Sequence, residues 1–537
     1  MKKLPNIPAA FLMATLSGLL LAAAWPDKGF PGLMFIALVP MFFAEKFIRT
    51  APRAFPGVFF MAAWWGFFVF NFLTTYWVYN ASGAGAIVAW VCNSMFMALV
   101  WQSFSWLMSK RNARTAYWGL VLLWIGFEFG HMRWDLSWPW LSLGNAFANF
   151  PEWIQWYEIT GAPGGSLWVL LSNLLFFFAL QQYGNKPVFR RKMIMAALLV
   201  LVPMGLSYIR YATYKESEIK ADIVVVQPNI DPWNEKFSSS QMGQLYRLVN
   251  LGLAEADPRT DYIICPETAL PSGIWAHEQD TCSEIRIIRE TLMALPKTRF
   301  ITGLTYLEKF KKGDPNIPRE ATPAKNGLSY TLDYNSAMQI DHSNRIQIYH
   351  KSKLVPGPEM MPFAEVLEPF QQQLFGSLGG YIGNMGRQKE RSVFTTDNPD
   401  LVAAPVICYE SVYGDYVTDY IKKGATFIAI VTNDGWWGDT PGYKQHFAYA
   451  RLRAIENRRS IARSANTGFS GFISERGDVL AKSAWWEETA LRQQISINTS
   501  TTFYSRNGDL IGRVAFFGGL LLLFFSWMKN FLAKRRM

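Results

Sequence analysis

The stretch APVICYESVYGD (404–415) decides how the second half of the chain is read. A short apolar run delivers Cys408, and Tyr409, Glu410 and Ser411 follow at once, the pattern of a buried strand that ends in a polar turn. A cysteine kept for packing belongs inside such a run. One at the polar exit is placed for chemistry. A nucleophilic thiol needs a base, and none of His131, His277, His342, His350 and His446 lies in a recognisable cysteine–histidine signature. A carboxylate base with a cationic stabiliser is the chemistry left open.

Two upstream segments supply such groups. Glu267 follows an apolar run in IICPET, where a strand-end carboxylate serves either as a helix cap or loop anchor, or as a base. Lys351 and Lys353 lie in IQIYHKSKLVPGPEMMPF (346–363), where a strand feeds a Pro/Gly-constrained loop that also carries Glu359. Lysines there either solvate a surface or set a cation beside a cysteine, favouring the thiolate and a developing oxyanion.

The surrounding texture predicts an α/β layered domain. Strands are expected at ADIVVVQPN (221–229), DYIICPETALP (261–271) and RFITGLTYLE (299–308), with helices over 238–254 and 282–295 between them. Hairpin strands over 326–335, 337–342 and 346–351 come next. Then follow a strand at 404–411, helices near 415–422 and 443–457, and apolar runs in GATFIAIVTNDGWWG (424–438) and SIARSANTGFSGFISERG (460–477). No phosphate-binding loop, HExxH, GxSxG or nucleotide-binding glycine triplet occurs. Cys92, Cys265, Cys282 and Cys408 form no CxxC pair, so neither a disulfide framework nor a zinc site is expected.

The rest of the chain is of another kind. Half of its 537 residues are hydrophobic, and apolar runs concentrate at roughly 9–25, 31–44, 55–77, 84–107, 115–130, 165–184, 193–210 and 508–528. The first resembles a signal peptide, but further apolar runs follow directly, so a retained span is the better reading. Eight transmembrane helices are expected. The net charge of +11 resides largely in clusters beside these runs: Lys2 and Lys3; Lys46, Arg49 and Arg53; Lys110, Arg111 and Arg114; Lys186, Arg190, Arg191 and Lys192; Lys529, Lys534, Arg535 and Arg536. With eight alternating spans these clusters share one side, which places both termini in the cytoplasm and 211–507 outside. That distribution argues for membrane orientation rather than nucleic-acid binding. The segment 131–165, with Trp138, Trp140, Trp153 and Trp156, reads as an interfacial anchor or as a lipid-facing wall near an active site.

PET at Glu267, Y-x-K-x-K-L at Lys351, C-Y-E at Cys408, TNDGWWG (432–438), QHFAYARLRAIENRR (445–459) and SANTGFSGF (464–472) together resemble the carbon–nitrogen hydrolase, or nitrilase, superfamily. With the multispan N-terminal part, WPWLSLG (138–144) and the last apolar run, the chain is similar over nearly its whole length to the membrane-bound apolipoprotein N-acyltransferases. The resemblance implies an extracytoplasmic nitrilase-like α-β-β-α sandwich: a membrane domain over 1–213, a periplasmic catalytic domain over 214–507 and a C-terminal transmembrane helix with a basic tail over 508–537. It implies Glu267 as general base, Lys351 as stabiliser of the tetrahedral intermediate and Cys408 as nucleophile, with Glu359, Tyr409 and Glu410 as auxiliary residues. Trp233, Phe237, Trp436, Trp437, Trp138 and Trp140 are candidate pocket residues, and Asn433, Asp434 and Gly438 belong to the same pocket loop.

The implied reaction moves an acyl chain from a phospholipid, commonly phosphatidylethanolamine, through a thioester to the α-amino group of a diacylglyceryl-cysteine on an apolipoprotein. No metal or other cofactor is implied, and a monomer suffices in the bacterial inner membrane. The alternatives are a membrane-tethered amidase or hydrolase using the same triad and, remotely, a transporter with an extracytoplasmic binding domain. The chain departs from the family's usual V-P-F-G-E loop with Val355-Pro356-Gly357-Pro358-Glu359. It also carries Phe237, with Trp233 nearby, where the family has a tryptophan.

Overall fold

The computed structural model describes residues 7–50, 57–325, 327–343, 345–367 and 384–535; Lys2, Lys3, Arg53 and Arg536 of the basic clusters lie outside them. The chain divides into two compact units, one of residues 1–79, 83–213 and 507–537, the other of 80–82 and 214–506.

The first unit is helical, as uninterrupted apolar runs dictate when backbone polar groups must be satisfied within the segment. Its helices are α1 (Ile7–Ala23), α2 (Val39–Arg49), α3 (Val58–Thr75), α4 (Gly83–Lys110), α5 (Ala113–His131), α6 (Tyr157–Leu180), α7 (Lys186–Thr213) and, from the far end of the chain, α12 (Leu510–Arg535). Among the described residues six segments are long and apolar enough to cross a membrane: Pro31–Arg49, which includes a 3-10 turn before α2, together with α3, α4, α6, α7 and Leu510–Ala533 of α12. Leu198, Leu201 and Leu206 on α7, and Phe517, Leu521 and Phe524 on α12, are each more than half exposed. Such contiguous apolar faces fit hydrocarbon rather than water.

Residues 131–165 differ from a simple interfacial loop. Three 3-10 turns (Pro139–Leu141, Leu143–Phe147 and Pro151–Trp153) fold inward, and α6 begins at Tyr157, eight residues before the expected span, with a break at Gly161 and Pro163 inside it. Glu128 explains the fold of this segment: its carboxylate accepts from Trp124 Nε1 (3.0 Å) and from the backbone N–H of Leu143 (2.8 Å). Its lone pairs are thus spent on structure.

The second unit contains two β-sheets. The first holds β1 (Lys220–Gln227), β2 (Tyr262–Ile264), β3 (Leu270–Trp275), β4 (Arg299–Lys311), β5 (Thr322–Pro323), β6 (Ser329–Ile340), β7 (Ile346–His350) and β13 (Thr489–Ser496), in the order β13-β1-β2-β4-β6-β5, with β3 beside β4 and β7 beside β6. The second has the order β12-β11-β10-β9-β8, built from β8 (Ala403–Ile407), β9 (Phe427–Thr432), β10 (Ile461–Ala465), β11 (Gly471–Ile473) and β12 (Val479–Lys482). β1, β2 and β4 run parallel, as do β8, β9 and β10. Their strands are buried on both faces, which is why they read as continuous apolar runs.

β1 and β2 meet β10 across the interface between the sheets. Helices α8 (Gln241–Glu255) and α9 (Ser283–Leu292) cover the first sheet, and α10 (Gly414–Lys422) and α11 (Pro441–Asn457) cover the second. The result is an α-β-β-α sandwich.

Two expectations are corrected. The run 261–271 is two strands, because Cys265–Ala269 leaves the ladder to form the loop that carries Glu267. The expected strands at 326–335 and 337–342 are one, β6, paired antiparallel with β4 along its whole length. Asp333 to Ser336, where the first expected strand was to end, stay in register with Leu304–Leu307.

Candidate active site

Glu267, Lys351 and Cys408 each leave the carboxyl end of a strand, β2, β7 and β8 respectively. In layered α/β folds that edge is where functional side chains gather. The Glu267 loop lies directly on β4: a Cβ on Gly303 would come within 2.6 Å of Glu267 Cα and 2.5 Å of the Pro266 carbonyl oxygen. Only glycine admits that approach.

All three polar members of the acid–lysine cluster are buried: Lys351 is 1% exposed, Glu267 6% and Glu359 9%. Lys351 Nζ donates to Glu359 Oε1 (2.7 Å) and Glu267 Oε1 (3.2 Å). Asn335, on β6, donates through Nδ2 to the same two oxygens, at 2.7 Å to Glu267 and 3.0 Å to Glu359, and its carbonyl accepts from the Lys351 backbone N–H (2.8 Å).

The Val355–Glu359 loop secures Glu359 despite its unusual sequence. Gly357 takes a left-handed φ of 94°, its N–H donates to Met360, and Glu359 Oε2 accepts from the Val355 N–H (2.8 Å). Proline at 358 is tolerated because the turn asks no N–H of it.

Burial pushes the Glu267 pKa up, but Lys351, the Asn335 hydrogen bond and Lys236 outweigh it and hold the carboxyl below its ordinary value. Burial likewise works against the Lys351 ammonium, and Glu267, Glu359 and the Cys408 sulfur overcome it, so its pKa stands well above normal. Cys408 is pushed up, first by burial and then by Glu267, with Lys351 opposing. The resting site therefore holds a thiol, a carboxylate and an ammonium, the charge pattern of a nucleophile awaiting its base.

Cys408 has φ +49°, in the left-handed region that costs a residue with a Cβ about 1–3 kcal/mol. Its surroundings hold it there. Ser411 Oγ donates to the Cys408 carbonyl (2.7 Å); His446 Nε2 lies 3.2 Å from that carbonyl and 2.9 Å from Ser411 Oγ; His446 Nδ1 lies 2.9 Å from Asp434 Oδ1. Burial and then Arg463 keep His446 below its usual pKa, and Arg463 pairs with Asp434. This Ser411–His446–Asp434 chain is wholly buried and is turned onto the nucleophile's backbone.

Glu410 forms a second brace. Oε1 accepts from Tyr349 OH (2.7 Å), Tyr416 OH (2.7 Å), Ser352 N (2.8 Å) and Lys353 N (3.2 Å), while Oε2 accepts from Ile407 N (2.9 Å) and Tyr420 OH (3.2 Å). One carboxylate thus ties the lysine loop to the cysteine turn.

Comparison with known proteins gives the architecture a family. Residues 17–175 match the apolipoprotein N-acyltransferase N-terminal domain, and residues 222–503 match the carbon–nitrogen hydrolase family. The apolipoprotein N-acyltransferase of Chlorobaculum tepidum is 32% identical over 524 residues, covering 94% of each chain; that of Geobacter metallireducens is 27% identical over 519 residues, covering 93% of this chain and 92% of its own.

The chain belongs to the apolipoprotein N-acyltransferase family. It is a membrane-associated acyltransferase with a nitrilase-like domain. The solved structure of Saccharomyces cerevisiae Nit3, a member of branch 10 of the nitrilase superfamily, aligns with 53% of this chain and 92% of its own at 14% identity and a TM-score of 0.35.

In this N-acyltransferase the candidate pocket residues fall into three groups. Trp233 and Phe237 are 59% and 66% exposed, and both rings pack on Trp436, at 4.9 and 6.4 Å between centroids. Trp437 packs edge-on against His446 at 5.6 Å. Trp138 and Trp140 belong to the first unit, where Trp140 is buried between Trp77 and Trp138. Tyr409 is buried against Tyr413. Asn433 contacts Asn466, Asp434 serves His446 and Arg463, and Gly438 ends the turn with a positive φ.

Sequence reasoning missed Asn335, His446, Ser411 and Lys236. Asn335 sits at the end of an expected strand and Ser411 inside a quoted motif, neither with a chemical signature, and His446 lies in QHFAYAR, 38 residues from the cysteine it supports. Lys236 had a weak signal, its position next to Phe237. Among the described residues no group of three or more His, Cys, Asp or Glu side chains is arranged to hold a metal ion.

Proposed function

We propose that the enzyme transfers an acyl chain from a membrane phospholipid, commonly the sn-1 chain of phosphatidylethanolamine, through a Cys408 thioester to the α-amino group of the N-terminal diacylglyceryl-cysteine of apolipoproteins. Glu267 takes the thiol proton as Cys408 Sγ attacks the ester carbonyl. The oxyanion is held by Lys351 and the backbone near Tyr409; as the tetrahedral intermediate collapses Glu267 gives its proton to the departing lysophospholipid oxygen, and the carboxylate so restored takes a proton from the α-amino group as it attacks the thioester and returns it to the departing Cys408 sulfur. The observation that carries this reading is the buried Glu267–Lys351–Glu359 cluster acting on Cys408. An ammonium has three N–H donors, and two are taken by Glu267 and Glu359, leaving one for an oxyanion.

Glu359 and Glu410 hold the lysine and cysteine in place, and the Trp233, Phe237, Trp436 and Trp437 rings guide acyl chains. The family membership and the apolar helices support a membrane donor. Exposing a chain to water would cost about 0.8 kcal/mol per CH₂. The topology follows the charge clusters: eight spans, both termini in the cytoplasm, and the catalytic unit 214–507 in the periplasm of a monomer in the inner membrane.

Intact-mass measurement of the detergent-purified protein with labelled phospholipid tests the reaction. The expected result is a gain of one acyl chain that is lost in C408A and chases onto a diacylated lipopeptide with a free amine. Acyl release to water with the lipopeptide unchanged identifies a hydrolase instead.

A further inference from the structure

The segment between β1 and α8 brings a second lysine into the catalytic cluster. Lys236 is 3% exposed, and its Nζ donates to the backbone carbonyl of Glu267 (3.1 Å). The Asn433 amide oxygen, in the orientation that satisfies its neighbours, accepts from the same ammonium at 3.1 Å. It forms no ion pair among the described residues, yet the titratable groups acting on it are Glu267 and Cys408. Burying an ammonium on neutral acceptors is unfavourable, and a neutral donor would satisfy the same carbonyl. Hydrogen bonding alone does not account for a lysine here.

Charge counting does. Glu267 and Glu359 share one ammonium, Lys351, which leaves the cluster one negative charge in excess before the thiol ionises. Of the other groups beside Cys408, Asp434 is paired with Arg463, His446 is kept neutral between them, and the Glu410 carboxylate is held by six neutral donors rather than by a cation. Lys236 is the second cation acting on Glu267.

We infer that Lys236 is a positioning residue whose positive charge offsets the one net negative charge of the site, which rests on the carboxylates while Cys408 is a thiol and moves to Cys408 Sγ when the thiol proton passes to Glu267. This rests on the roles proposed for Glu267, Lys351 and Cys408. Burial lowers the Lys236 pKa to about 8, with Glu267 and Cys408 opposing, so the ammonium predominates at neutral pH and is lost in mild alkali. Nucleophilicity at Cys408 then gains a dependence on a group that carries no proton in the reaction.

The test is alkylation of the full-length protein in detergent by iodoacetamide, with Cys408 followed by peptide mass spectrometry from pH 6 to 10, in the wild type, K236Q, K236M and K236R. Glutamine keeps a donor for the Glu267 carbonyl and removes the charge. Expected at pH 7 is a loss of about tenfold or more in Cys408 alkylation rate in K236Q and K236M, the size of an adjacent-charge effect of one pH unit or more. K236R should retain most of the rate. The wild-type profile should inflect near pH 8, and that inflection should vanish in K236Q.

A K236Q profile that matches the wild type overturns the inference, as does failure of both neutral variants to fold, which would make the ammonium structural. Alkylation does not involve phospholipid. Failure of the acyl-transfer reading would therefore appear as an unacylated wild type in the labelled-phospholipid measurement, independently of the Lys236 result.

Discussion

Glu267 and Cys408 are held in opposite directions, the carboxyl below its ordinary pKa of 4.5 and the thiol above its ordinary 9.0. The proton that separates them moves only when substrate arrives. A carboxyl with a depressed folded pKa keeps its base form, and the stability it contributes, at every pH above its unfolded value, and loses both as pH falls through the folded value. Acyl-enzyme formation should accordingly be level between about pH 5 and 7 and decline only below 4.5, as read from the rate of acyl gain at Cys408. E267Q should lower that rate by about 10²–10⁴ while the protein still binds phospholipid. The positions of Glu267, Lys351 and Cys408 were legible in the sequence because each follows the end of an apolar strand. Lys236, Asn335 and His446 were not, since each becomes part of the site only when another element folds onto it.

Elements, rather than single side chains, fix the distance between lysine and cysteine. The turn after β8 and the loop after β7 are joined through Glu410, whose two oxygens collect donors from Tyr349, Tyr416, Tyr420, Ser352, Lys353 and Ile407. E410Q turns an amide N–H₂ toward some of those donors and orphans them, at a cost of about 3 kcal/mol. The expected outcome is a lower midpoint of thermal unfolding in detergent together with slower acylation of Cys408. Y420F, which removes one 3.2 Å donor, should leave acylation near normal. The motif C-Y-E showed a glutamate beside the nucleophile, but its partners lie on β7, β8 and α10 and in the lysine loop. A reading by local pattern had no means of collecting them. The same locality split β6 in two and left β13 unread, because the mostly half-buried TALRQQIS has no apolar alternation and becomes a strand only through its pairing with β1.

Across the whole molecule, composition alone separated an apolar helical part from an α/β part, since lipid and water impose different burial patterns on the two. Orientation is a matter of charge. Lys46, Arg49, Lys110, Arg111, Lys186, Arg190 and Arg191 all flank helix ends of the first unit, and moving such groups across a bilayer is costly enough to set the direction of insertion. Arg190 is exposed beside the start of α7, and Arg286 is 69% exposed on α9 of the catalytic unit. In a chain whose four cysteines are replaced, R286C should react with a membrane-impermeant maleimide in intact spheroplasts, whereas R190C should react only after the membrane is opened. Labelling of both from outside would break the alternation of eight spans. Labelling of neither would put the catalytic unit in the cytoplasm, where an N-terminal lipidated cysteine anchored in the outer leaflet lies beyond the reach of Cys408.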